Sequence, residues 1–186
     1  MKAFWADNGK SVGKTLLNQF GSAFLGIMLF MASTAISQVE WLPFLASVIA
    51  TGFYVYLIYN VMWDKGGQDR IKVDGGRGKK EILKGLWISL VANIPNFILA
   101  ILIIATNSNA RTETVAGTIY AISKGIAIVW EGMYTGAVMV YSPRNPIIFL
   151  LMIIPALAAS TFGYFMGYNN RRIFGKLFVK KDKTKE

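Results

Sequence analysis

The chain has 186 residues, 54% of them apolar, and its 20 Lys and Arg against 10 Asp and Glu give a formal net charge of +10. It contains no Cys and no His, which excludes disulfide bonds, thiolate or imidazole metal sites, and catalysis by a Cys nucleophile or a His base. We therefore expect a protein that is not an enzyme and that has no catalytic residues, no metal site and no cofactor.

Four uncharged stretches of the sequence are long enough to cross a membrane. They cover residues 15–39, 41–63, 85–110 and 145–170. A bilayer core of about 30 Å requires about 20 apolar residues in a helix. The sequence therefore predicts an all-α polytopic membrane protein, a compact bundle of four transmembrane helices that forms one membrane domain over residues 1–170. The small size and the absence of Cys favour the cell (inner) membrane of a bacterium.

The basic residues predict the orientation of the bundle. Residues 1–16, the loop 64–84 and the segment 169–186 together carry the entire net charge of +10. The positive-inside rule places segments rich in Lys and Arg in the cytoplasm. We therefore expect both termini and the loop 64–84 on the cytoplasmic side, with the loop 107–114 outside. The loop 64–84 is also the place where we expect a cytoplasmic partner to bind, if the protein has one.

Pairs of small residues spaced four apart recur in the apolar segments. The pairs are Ser22 and Gly26, Gly132 and Gly136, and Gly163 and Gly167. Small residues at this spacing let membrane helices approach one another closely. They predict helix packing, either inside a compact bundle or against a helix of another membrane subunit.

The third span contains a polar interruption near its middle, where Asn93 and Asn96 flank Pro95. Proline removes one helical hydrogen bond, and the groups that it frees need partners in a hydrocarbon environment. Interrupted helices with polar neighbours at the midplane are typical of transporter binding sites. The three residues therefore predict either a substrate-binding element or a kink whose polar groups are satisfied by packing.

The segment 115–143 is apolar but too short for two full spans. A single crossing would place the basic C-terminal segment outside, against the positive-inside rule, so we expect a short re-entrant or interfacial helical segment. Lys124 and Glu131 are seven residues apart, two turns along one helical face. They are either an intramembrane substrate-binding pair or two charges that reach water at the interface.

Residues 171–186 form a basic cytoplasmic tail in which apolar and basic residues alternate at helical spacing. The residues expected to contact anionic lipid headgroups of the inner leaflet are Arg171, Arg172, Lys176 and Lys180. Because this tail follows a span directly, the bilayer is its expected partner and nucleic acid is not.

Two functions fit these features. The first is a small transporter, or the membrane-embedded substrate-binding subunit of a larger transporter. The alternative is a non-catalytic anchor, assembly factor or accessory subunit of a membrane complex. A transporter needs polar groups that converge at mid-membrane, whereas a scaffold does not.

Overall fold

The computed structural model describes residues 2–36, 39, 41–79, 81–110, 114–141 and 145–171, and these residues are helices and turns without a strand. The all-helical prediction is therefore confirmed. The helices are α1 (Lys2–Ile36), α2 (Leu42–Asp74), α3 (Lys84–Ala92), α4 (Ile94–Thr106), α5 (Val115–Trp130), α6 (Thr135–Tyr141), α7 (Ile148–Leu151) and α8 (Ile154–Tyr168). The tail residues Arg172, Lys176 and Lys180 lie outside the described part of the chain.

Three described helical segments are long and apolar enough to cross a membrane: Phe4–Ala35, Leu42–Asp74 and Ile148–Tyr168, the last made up of α7 and α8 together. The pair α3 and α4 would add a fourth span, bent by 56° at its break. The break falls at Asn93, and Pro95 lies in the first turn of α4. Since proline lacks the amide hydrogen that would continue the helix, the chain bends where the sequence predicted an interruption.

The first two helices extend beyond the apolar stretches that predicted them. α1 begins at Lys2, and α2 continues to Asp74 through residues that we expected to form a loop. Ion pairs at helical spacing, Lys65 with Asp69 and Arg70 with Asp74, support the added turns. The expected loop 64–84 is therefore helical over its first half.

Neighbouring contacts give the relative directions of the long helices. Tyr59 and Trp63 of α2 face Gly163 and Gly167 of α8 in the same order, so these two helices are parallel. α3 faces α8 in the reverse order, because Gly85 lies against Tyr164 and Ser89 contacts Ala156.

One end of the bundle collects the basic segments. Asp7 near the start of α1 contacts Lys72 and Lys84, and the indole nitrogen of Trp63 donates a hydrogen bond to the carbonyl oxygen of Arg171 at 2.9 Å. We call this the basic end, and the opposite end, where α2 begins, the far end.

Residues Val115–Tyr141 form what we call the central hairpin. α5 runs back along α4 from the far end, until Trp130 reaches Asn96. The turn Gly132–Tyr134 then packs against Gly26 of α1. α6 returns toward Pro43, the second residue of α2. The hairpin therefore enters and leaves from the far end and reaches about the middle of the bundle.

Candidate functional site

Glycines bring the helices that surround the central hairpin into backbone contact. A side-chain carbon at Gly26 would overlap the backbone of Met133, and one at Gly132 would overlap the carbonyl oxygen of Ala23. A similar carbon at Gly136 would overlap Pro43 of α2. Only glycine permits these approaches, and they hold the hairpin turn against α1 and α2.

The pair Gly163 and Gly167 plays the same part between α8 and α2. A Cβ at Gly163 would lie 2.6 Å from the carbonyl oxygen of Tyr59, and one at Gly167 would overlap Trp63. Ser22 is fully buried in α1, four residues before Gly26. The glycines of these pairs therefore mediate helix packing within this chain.

Asn96 is the hub of a buried polar network at the break between α3 and α4. Its Oδ1 accepts hydrogen bonds from Gln19 Nε2 at 2.8 Å and from Trp130 Nε1 at 2.6 Å. Its Nδ2 donates to Asn93 Oδ1 at 2.8 Å, and Asn93 in turn donates to the carbonyl oxygen of Ser89. The network joins α1, α3, α4 and α5.

Glu131 lies at the innermost point of the central hairpin, directly after α5. The residue is 3% exposed, and its Oε2 has no hydrogen-bond partner among the described residues. Tyr54 of α2 and Tyr134 in the hairpin turn lie in the electrostatic neighbourhood of Glu131. The hydroxyls of these two tyrosines are also buried without a described hydrogen-bond partner. We call Glu131, Tyr54 and Tyr134 the central site.

Glu131 borders a very small, partly open space. A cavity of about 10 Å³ lies beside Glu131 and is lined otherwise by Thr135 and by apolar side chains such as Phe149. A space of this size admits about one water molecule. The carboxyl group of Glu131 therefore borders a space in which only a water-sized guest fits.

Lys124 and Glu131 are not brought together as an ion pair among the described contacts. Lys124 Nζ lies 3.3 Å from the hydroxyl of Tyr120 and 5.5 Å from the centre of its ring, one turn back along α5. α5 ends at Trp130, so Glu131 leaves the helix face that the spacing of seven had assumed. The two predicted substrate-binding residues thus occupy different surroundings, and Glu131 is the buried one.

An ion cluster at the basic end was not anticipated from the sequence. Lys65 and Asp69 of α2 are almost fully buried, and their charged atoms lie 3.0 Å apart. Lys84 of α3 contacts both Asp69, at 3.0 Å, and Asp7 of α1. Tyr164 of α8 donates a hydrogen bond to Asp69 Oδ2 at 3.1 Å. The cluster therefore ties four helices together at one end.

The charges of this cluster compensate one another. The carboxylate of Asp7 accepts hydrogen bonds from both Lys72 and Lys84. Asp69 Oδ1 accepts no well-aligned hydrogen bond, although Lys65 Nζ is 3.0 Å away. In the described parts of the chain, no three acidic residues are grouped so that they could hold a metal ion.

No protein-family model, curated protein or solved structure matches this chain.

Proposed function

We propose that the protein is a membrane transport protein, or the substrate-binding subunit of one, and that its cargo is a small cation held at the central site. The observation that carries the proposal is the burial of Glu131 together with two tyrosine hydroxyls that have no hydrogen-bond partner among the described residues. An ionisable group at mid-membrane is costly and serves a function by default. Carboxylate and hydroxyl oxygens are ligands that hard cations prefer.

The cargo follows from the size of the space. Because the cavity is about 10 Å³, an organic solute does not fit beside Glu131 in this conformation. A proton or a dehydrated monovalent cation such as sodium does. Either one would compensate the carboxylate, which no described basic side chain pairs.

The proposed membrane topology has four spans, with both termini and the basic end in the cytoplasm. The positive-inside rule supports it, because residues 1–16, 64–84 and 169–186 carry the whole net charge. The central hairpin would then be a re-entrant segment that enters from outside. Its turn would place Glu131 near the midplane, where an interrupted span, α3 with α4, also contributes polar groups.

The test measures thermal stability of the purified protein in detergent with sodium, potassium or choline chloride at equal ionic strength. A ligand that binds only the folded protein, at a concentration 100 times its dissociation constant, raises the free energy of unfolding by about 2.7 kcal/mol. We expect sodium, or lowered pH if the cargo is a proton, to raise the midpoint of thermal unfolding of the wild type and not that of Glu131→Gln. A response shared by both proteins would refute the site. Glu113→Gln, the same substitution 18 residues earlier in the chain, is the matched control.

The alternative function, a non-catalytic anchor or accessory subunit, is favoured by one observation, which is the tight filling of the space around Glu131. It predicts no cation response in either protein, and it predicts that Glu131→Gln stabilises the fold. Flux of sodium or protons into proteoliposomes then separates a transporter from a substrate-binding subunit, since the subunit binds the cation without moving it.

A further inference from the structure

An apolar groove lies on the outside of the bundle between α3 and α8. It has a volume of about 560 Å³, within the range of ligand-binding pockets. Its walls include Leu86, Leu157, Phe162 and Phe165. Its polar wall residue, Thr161, donates its hydroxyl hydrogen to the carbonyl oxygen of Leu157 at 2.8 Å. The groove therefore suits a hydrocarbon chain.

The groove acquires polar and basic neighbours at the basic end of the bundle. Ile82 and Phe165 form its last wall there, and they also line a smaller recess with Tyr168 and Asn169. Exposed Arg171 follows this recess in the chain, and its backbone is fixed by the hydrogen bond from Trp63.

The connection into α3 adds a second exposed cation, which is close to this wall along the chain. Lys79 lies three residues before Ile82 and lines the neighbouring cleft together with Glu81, an opposing charge. A molecule whose chain occupies the groove would thus present its polar end to a basic margin.

We propose that this groove binds one anionic phospholipid, with an acyl chain between α3 and α8 and its phosphate near Lys79 and Arg171. An apolar channel that ends at cations matches the two halves of such a lipid, and each Lys or Arg near an anionic headgroup contributes about 1 kcal/mol.

A partner helix fits the groove less well. Membrane helices pack through small residues, and the paired glycines of this chain already face its own helices. The groove walls are instead mostly Leu, Ile and Phe. The proposal is independent of the cation site, because it uses none of the residues of the central site.

Native mass spectrometry of the detergent-purified protein tests the proposal with phosphatidylglycerol and phosphatidylcholine as probes. We expect one phosphatidylglycerol to bind preferentially. The double change Lys79→Gln with Arg171→Gln should lower that preference by roughly 30-fold, because about 1 kcal/mol is lost for each of the two charges. Lys10→Gln, an exposed lysine on α1, is the control and should leave the preference unchanged.

Filling the groove tests the acyl-chain half of the proposal. Ala158→Trp places a large side chain in the groove and should reduce phosphatidylglycerol binding by about 10-fold or more, as expected when several buried methylenes are displaced. Ala32→Trp, at an exposed position of α1, should have no effect. Far-ultraviolet circular dichroism verifies that both variants fold. Equal binding by the two variants, no preference for the anionic lipid, or a protein dimer in place of the lipid would each overturn the proposal.

Discussion

Gln19 and Asn96 are 77 residues apart in the chain, and a hydrogen bond of 2.8 Å joins the Nε2 of the first to the Oδ1 of the second. The bond fastens the middle of α1 to the break between α3 and α4. Trp130 donates to the same oxygen, so one amide side chain sets the position of three parts of the bundle. The Pro95 interruption thus adjoins a buried polar network that extends to Trp130, the residue before Glu131.

Replacing this hub should destabilise the fold. Asn96→Leu removes three side-chain hydrogen bonds and leaves the buried polar groups of Gln19, Asn93 and Trp130 without them. At about 0.6–1.7 kcal/mol for each interhelical bond in a membrane, we expect a loss of about 2–5 kcal/mol. Unfolding in mixed micelles with increasing SDS measures it. The control Asn169→Leu removes an exposed bond within one helix and should cost less than about 1 kcal/mol. Equal losses would contradict the role of the hub.

Close packing of α8 on α2 should depend on Gly167. A valine there would overlap the backbone of Trp63, which has no room to withdraw. We expect Gly167→Val to cost at least about 1–3 kcal/mol, the usual penalty of overpacking. Gly21→Val is the matched control, because a Cβ at Gly21 meets nothing within 4 Å. The same micelle titration compares them, and a tolerated Gly167→Val would show that the two helices are not in this contact.

The two ion pairs of α2 should differ sharply in their contribution to the stability of the fold. Lys65→Met removes one of the two cations that lie 3.0 Å from the buried carboxylate of Asp69. Because Lys84 remains, we expect a loss of up to about 3–5 kcal/mol, the cost of breaking a buried pair. Arg70→Met removes an exposed pair with Asp74 and should change stability by about 0.5 kcal/mol or less. Both pairs have the same spacing on the same helix. A similar effect of the two changes on the unfolding midpoint would mean that the cluster at the basic end does not form.

The proposed orientation is open to cysteine labelling, because the chain has no cysteine of its own. Single cysteines at Lys10, Asp74 and Thr184 should react with an impermeant maleimide only after the membrane is opened. A cysteine at Ala110, in the connection between α4 and α5, should react in intact cells. Reaction of Thr184→Cys from outside would require an odd number of crossings and would overturn the re-entrant hairpin.

Local sequence signals predicted the helices and the interruption at Pro95. The length of an apolar stretch and the missing amide hydrogen of a proline can both be read from a single segment of the chain. The charge pattern led us to expect a short re-entrant or interfacial helical segment at 115–143, and the described part, Val115–Tyr141, reverses direction at mid-bundle. The cluster of Asp7, Lys65 and Lys84 left no such signal, since its members are 58 and 77 residues apart and gain meaning only when the helices assemble. For the same reason the spacing of seven suggested that Lys124 and Glu131 share one helical face, although α5 ends between them.

The central claim is that Glu131 holds a small cation inside the bundle. Hydrophobic carbodiimides modify carboxyl groups buried in membranes, and a bound cation protects such a group. We predict that the carbodiimide modifies Glu131 in the wild type, that sodium or raised pH suppresses the modification, and that peptide mass spectrometry locates the adduct on this residue. Glu131→Gln should abolish the adduct. Modification that neither sodium nor pH alters, or its absence from Glu131 in a folded protein, would contradict the account.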